Sequence, residues 1–140
     1  MGDDRYLAPD FAASALITID TQRDVLDGQP LEIPGTSAAL PAMRRLLDAF
    51  RQARAPIVHV VRLYRRDGSN VDLCRRSLVE GGATILAPGS EGSELAPGLL
   101  TDPSLRLDPD LLLANRIQEV GGREVVIYKP RLGGVLRDAA

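Results

Sequence analysis

Apolar runs rich in β-branched residues recur along the chain: Ala15-Leu16-Ile17-Thr18-Ile19, Pro56-Ile57-Val58-His59-Val60-Val61-Arg62, and Arg123-Glu124-Val125-Val126-Ile127-Tyr128-Lys129. Near-continuous apolar character, instead of strict alternation with polar residues, is the pattern of strands buried on both faces, as in a parallel sheet. Between the first two runs the period changes. Thr36 or Ser37 can cap a helix that runs to about Arg54, with Pro41 near its first turn, where proline is tolerated. Leu40, Met43, Leu47 and Phe50 recur at helical spacing as its inner stripe, while Arg44, Arg45, Asp48 and Arg51 fall on the outer face. The helix should stop before Pro56. Strand, helix and strand then form one βαβ unit with a right-handed crossover.

Residues 1–13 read as a loosely held lead-in, and residues 63–113 as a weakly periodic insertion. The insertion holds a charged turn around Tyr64-Arg65-Arg66-Asp67-Gly68, a short helical pattern from Val71 to Val79, and a section rich in glycine and proline from Gly81 to Pro109. Short helical turns are expected at Leu95 to Leu100 and Leu111 to Leu113. A stretch of this length and irregularity suggests functional surface or a lid more than core. The third strand enters through the Gly121-Gly122 turn. The expected fold is therefore α/β, a three-layer, mainly parallel open sheet flanked by helices, in a single domain over residues 1–140.

Composition adds exclusions. With 44% hydrophobic and 26% charged residues the chain has the balance of a globular domain, and its formal net charge of -2 gives no basic face for nucleic acid or an anionic membrane. The start, Met1-Gly2-Asp3-Asp4-Arg5, lacks a basic segment followed by an apolar one, and the apolar runs are too short to span a bilayer, so a cytoplasmic location is expected. The single cysteine, Cys74, cannot close an internal disulfide, which agrees with a reducing compartment.

Ligands of open α/β sheets sit beyond the carboxyl ends of the strands. Asp20 closes the first apolar run and Lys129 the third, so they can converge despite their separation in sequence. The segment Leu16-Ile17-Thr18-Ile19-Asp20-Thr21-Gln22-Arg23-Asp24 resembles the first motif of the isochorismatase-like cysteine hydrolases, an apolar strand closed by Asp-x-Gln-x-Asp. Val126-Ile127-Tyr128-Lys129-Pro130-Arg131 resembles their second. Pro34-Gly35-Thr36, the Pro56 to Arg62 strand and Gly92-Ser93-Glu94-Leu95 stand between them in the expected order.

The resemblance implies an Asp-Lys-Cys triad that attacks small amides, with vinyl-ether hydrolysis as the second choice. It makes Asp20 the acceptor of the thiol proton and Lys129 the cation beside thiolate and carboxylate. Gln22 would orient groups around Asp20. Such a pair suits the chemistry, because a thiol near its ordinary pKa of about 8.5 needs a base or cation to become a nucleophile at neutral pH. No cofactor is implied. No metal is expected either: zinc sites normally use three or four converging ligands, and the one histidine, His59, lies mid-strand as a satisfied imidazole. A receiver-like phosphoacceptor module would need an acid at the end of the middle strand, where Val61 leads into Arg62.

The nucleophile is the missing part. In the family it follows a fourth strand after the Lys motif, at the start of a helix whose amides can hold an anion. Cys74 precedes Lys129 without that context and is not expected to serve. After Arg131 the chain reads Leu132-Gly133-Gly134-Val135-Leu136-Arg137-Asp138-Ala139-Ala140. The family commonly continues Trp-Gly-Ala-Phe-Tyr-Gly-Thr-Pro-Leu-Glu, and codons exist for that segment in which one extra C after the Arg131 codon yields this tail followed by a stop. The sequence thus suggests a domain incomplete at its C-terminus, by a frameshift or a misread gene, with a deliberately shortened product as the plainer alternative. It would be inactive alone, and a non-catalytic remnant or interaction subunit is the competing function. Loss of the family's next strand would leave Ala15 to Ile19 as an apolar edge, so homo-oligomerisation or other self-association is expected.

Overall fold

The structure is a computed structural model and describes residues 6–130. The expected strands form at β1 (Leu16–Ile19), β2 (Ile57–Val61) and β4 (Glu124–Tyr128), and a further strand, β3 (Gln118–Gly121), precedes the last. The sheet order is β1-β2-β4-β3, with β1, β2 and β4 parallel. β3 pairs antiparallel to β4 through the Gly121-Gly122 turn, with an irregularity between Glu119 and Gly121. Gln-Glu-Val-Gly is too short and too polar to announce a strand; it forms because β4 presents a free edge to a chain that already reverses there.

Helix α1 (Thr36–Gln52) ends within two residues of the position read from its periodicity. Its start is built differently from the expected Thr36 or Ser37 cap. Gly35, in the left-handed region at φ 87°, is the capping residue, and the distant Asp27 carboxylate accepts from the backbone N–H groups of Gly35 (2.8 Å) and Ser37 (2.7 Å). Those bonds hold the Asp27 carboxyl below its usual pKa. Pro41 is the sixth helical residue, not part of the first turn, and removes the N–H that would otherwise bond the Ser37 carbonyl. Leu40 and Leu47 are buried, and Met43 and Phe50 pack beside them on the sheet.

Register places Leu16, Thr18, Ile57, His59, Val61, Glu124, Val126 and Tyr128 on the face that α1 covers. The supposed surface insertion contributes heavily to that core: Leu63, Leu95, Leu99 and Leu107 are buried there, as is Leu112 of α3 (Pro109–Leu113). Tyr64, Val71, Ile85 and Leu86 form a second cluster with Val79 of α2 (Leu73–Glu80). The reading of 63–113 as lid or surface is therefore corrected. Its weak periodicity reflects irregular backbone carrying single apolar anchors, and periodicity detects only regular elements.

The opposite face carries Ile17, Ile19, Val58, Val60, Val125 and Ile127, all aliphatic. Helices α1 and α3 pack on the other side of the sheet, and Ile17 and Ile19 on the outer strand β1 are 56% and 59% exposed. This explains why the strands read as continuously apolar: both faces are built for burial. An uncovered aliphatic face on an open edge favours self-association. Light scattering should show oligomers or aggregates, and Ile17→Lys with Ile19→Lys should shift the mass toward monomer. A monomeric, cooperatively unfolding wild-type chain would contradict this.

Candidate active site

The central strand brings the two sequence-distant residues together. Just past the ends of β1 and β4, the Asp20 N–H donates to the Val60 carbonyl (2.9 Å) and the Lys129 N–H to the Val61 carbonyl (3.0 Å). Consecutive carbonyls of β2 thus hold both backbones, and Lys129 Nζ reaches Asp20 Oδ2 at 3.0 Å. Asp20 sits at φ 54°, a left-handed conformation that aspartate tolerates better than most residues and that turns the chain sharply out of the strand. The Asp20 side chain is 24% exposed and that of Lys129 14%, so the pair lies at a partly open strand end.

A third charged group joins them. Arg62, which directly follows β2, is buried at 2% exposure, and its Nε lies 3.3 Å from Asp20 Oδ2, without the direction of a hydrogen bond. Its Nη1 contacts Asp72 and lies 3.2 Å from the Tyr64 hydroxyl, which donates to Asp72 (2.8 Å). Burial opposes the Arg62 charge, but Tyr64, Asp20 and Asp72 together raise its pKa. For Tyr64, burial is the main influence and pushes the phenol's pKa upward. Asp20 Oδ1, by contrast, is buried and has no hydrogen-bond partner among the described residues. One carboxylate oxygen therefore faces two cations, and the other is an unfilled acceptor.

The Gln22 backbone N–H donates to the Asp20 carbonyl (2.9 Å), but its side chain makes no hydrogen bond to the Asp20 carboxylate. Fully buried, its Nε2 donates to the carbonyls of Arg62 (2.8 Å) and Ser93 (2.6 Å), while its Oε1 accepts from the Arg62 N–H (2.9 Å). It locks the Arg62 backbone and hence sets where the guanidinium meets Asp20. Backbone bonds from Arg23 to Glu94 and from Ala96 to Thr21 fasten the same two loops. The second acid of the first motif, Asp24, is buried and accepts from the Leu86 N–H (2.6 Å).

Gly92 explains itself at this point, because a Cβ there would overlap the Asp24 carboxylate. Gly92→Ala should therefore displace Asp24 and lower unfolding stability by about 1–3 kcal/mol, the usual cost of overpacking, read as a lower denaturant midpoint. An unchanged midpoint would show that this loop can yield.

Arg62, Tyr64 and Asp72 were not singled out as site residues from sequence. A cation closing an otherwise aliphatic strand was the available signal, since Val61-Arg62 places it at the same sheet end as Asp20. Cys74, on α2, is exposed. His59 is fully buried and satisfied: its Nδ1 lies 2.6 Å from the Thr18 hydroxyl and its Nε2 2.7 Å from Glu124 Oε1. Among the described residues no group of three or more His, Cys, Asp or Glu side chains is placed to hold a metal ion, and no helix is long and apolar enough to cross a membrane. The tail after Pro130, on which the frameshift reading rests, lies outside the described residues.

Several known proteins are similar to this chain. The Isochorismatase domain profile matches residues 14–106. A curated relative, a probable inactive nicotinamidase of Arabidopsis thaliana, is 33% identical over 91 residues, covering 62% of this chain and 45% of the relative. Among solved structures, an isochorismatase family protein from Desulfovibrio vulgaris superposes with a TM-score of 0.59 at 33% identity, over 66% of this chain and 49% of that one. The chain thus spans about half the length of the relatives it matches. With the domain match covering most of the chain, this protein belongs to the isochorismatase family.

Proposed function

We propose that Asp20 and Lys129 are the proton-handling part of a cysteine hydrolase for small amides, whose thiol comes from a segment other than the described residues. The observation that carries this reading is the asymmetry of the Asp20 carboxylate, with Lys129 3.0 Å from Oδ2 and Oδ1 buried without a partner among those residues. A thiol approaching Oδ1 would transfer its proton there, and the thiolate would add to the amide carbonyl carbon with Lys129 balancing the charge. Collapse would break the C–N bond as Asp20 returns the proton to the leaving amine, and water would then release the acid from the thioester. Gln22 and Arg62 act as positioning residues for Asp20.

Cys74 is a poor source of the thiol, being exposed on α2 and outside both strand ends. Reading the locus through the Arg131 codon tests the reading. A continuation in another frame that encodes a strand and then a cysteine supports it, and an uninterrupted frame with no such continuation in any frame counts against it. A second reading, a non-catalytic subunit that docks through its sheet, is favoured by the uncovered aliphatic face with Ile17 and Ile19 exposed.

A further inference from the structure

At the opposite end of the sheet, where β2 and β4 begin, lies a cavity of about 730 Å³. Its floor is the buried Glu124 carboxylate, held by Arg51 through Nε (2.9 Å) and Nη2 (2.7 Å) and by His59. Ala55, Ile57 and Val120 supply apolar wall, and the Gly121-Gly122 turn adds wall without side chains. The volume falls in the range of small-molecule sites.

The mouth carries charge without a counter-charge. Arg54 and Arg123 both line the cavity, and among the described residues neither has a carboxylate within ion-pairing distance. A single exposed arginine would mean little. Here Arg123 Nη1 donates to the Arg54 carbonyl (3.3 Å), which fixes one guanidinium at the rim, and Arg54 is the left-handed residue (φ 53°) that closes helix α1. The acids present are already engaged: Glu124 by Arg51 and His59, and Asp102 by the Ser104 N–H (2.8 Å) and hydroxyl (2.6 Å). Planar guanidinium groups above an apolar recess suit a carboxylate attached to an apolar body.

We propose that this cavity is a second binding site, separate from the Asp20–Lys129 end, for a small monocarboxylate with an apolar body. Lys129 lies five positions beyond Glu124 along the chain, about 16 Å at the usual strand rise, so a ligand of this size would not touch the other site.

Titration of the 140-residue chain with 3-phenylpropionate, followed by amide chemical shifts, tests the proposal. Saturable shifts are expected at Val120 to Glu124 and at Arg54, with roughly tenfold weaker binding in each of Arg54→Gln and Arg123→Gln, as for the loss of one charged hydrogen bond. The neutral 3-phenylpropanol should bind at least about tenfold more weakly for the same reason. Both substitutions are on exposed side chains, and unchanged thermal unfolding of the variants would confirm that they fold. The proposal is overturned by the absence of saturable shifts, by equal affinity for the neutral analogue, by wild-type binding in both variants, or by shifts centred on Asp20 and Lys129 or on Ile17, Ile19 and Val58.

Discussion

Gln22→Leu lowers the unfolding free energy by about 3–5 kcal/mol. The side chain is fully buried, and its removal strands the Arg62 N–H and the Arg62 and Ser93 carbonyls where water cannot replace it. An orphaned buried group costs about 1–3 kcal/mol, and three of them lie at one point. Leucine restores most of the apolar volume, so the deficit reports the hydrogen bonds and not a cavity. Urea unfolding should show a lower midpoint with an unchanged slope. A loss below about 1 kcal/mol would mean that the Arg62 strand end and the Ser93 loop can re-pair without Gln22.

The second large effect is a pH dependence centred on Glu124. Burial alone would raise its pKa, but hydrogen bonds from His59 and Arg51, with the Arg51 charge, outweigh it and bring the carboxyl down from its ordinary 4.5 to about 2. A carboxyl whose folded pKa is depressed stabilises the fold above its unfolded pKa and loses that contribution as pH falls toward the folded value. Stability should therefore decline between about pH 4.5 and 2, and at 1.36 kcal/mol per pKa unit the Glu124 share is about 3 kcal/mol. Asp27, Asp67 and Asp102 also have lowered pKa values, held by backbone and serine hydrogen bonds, and add their own slope. The difference between wild type and Glu124→Gln isolates the one buried group. That variant should be less stable at neutral pH and lose less between pH 5 and 2.5, as measured by denaturant unfolding at each pH. Parallel pH curves for the two proteins would refute the assignment.

The strands are legible in the sequence because β1, β2 and β4 carry mostly apolar residues on both faces, a pattern that few other elements produce. Helix α1 was legible from Leu40, Met43, Leu47 and Phe50, but not its cap, since Asp27 reaches the helix start from a separate loop and no local pattern encodes that bond. β3 was missed because its pairing depends on the edge of β4 and not on its own residues. The insertion was misjudged for a related reason: Leu63, Leu95, Leu99 and Leu107 act as isolated anchors on irregular backbone.

At the candidate site, the strand-end rule brought Asp20 and Lys129 together, and the structure has them 3.0 Å apart. The linkage of the Gln22 side chain to Asp20 through Arg62 is set by tertiary contacts that no local pattern encodes. Gln22 bonds backbone, and its partners lie 40 and 71 positions away. Asp24 is similar, a motif acid that carries a loop amide and sets the need for glycine at position 92.

The most direct test of the central claim is ammonia release from small primary amides, measured with the 140-residue chain and with a product that carries the family-like continuation after Arg131. No turnover is expected from the former. Thiol-dependent turnover is expected from the latter, reduced by about 10²–10⁴ in Asp20→Asn, the range for loss of a general acid–base group. Undiminished turnover in Asp20→Asn, or turnover by the 140-residue chain that Cys74→Ser abolishes, would contradict that claim.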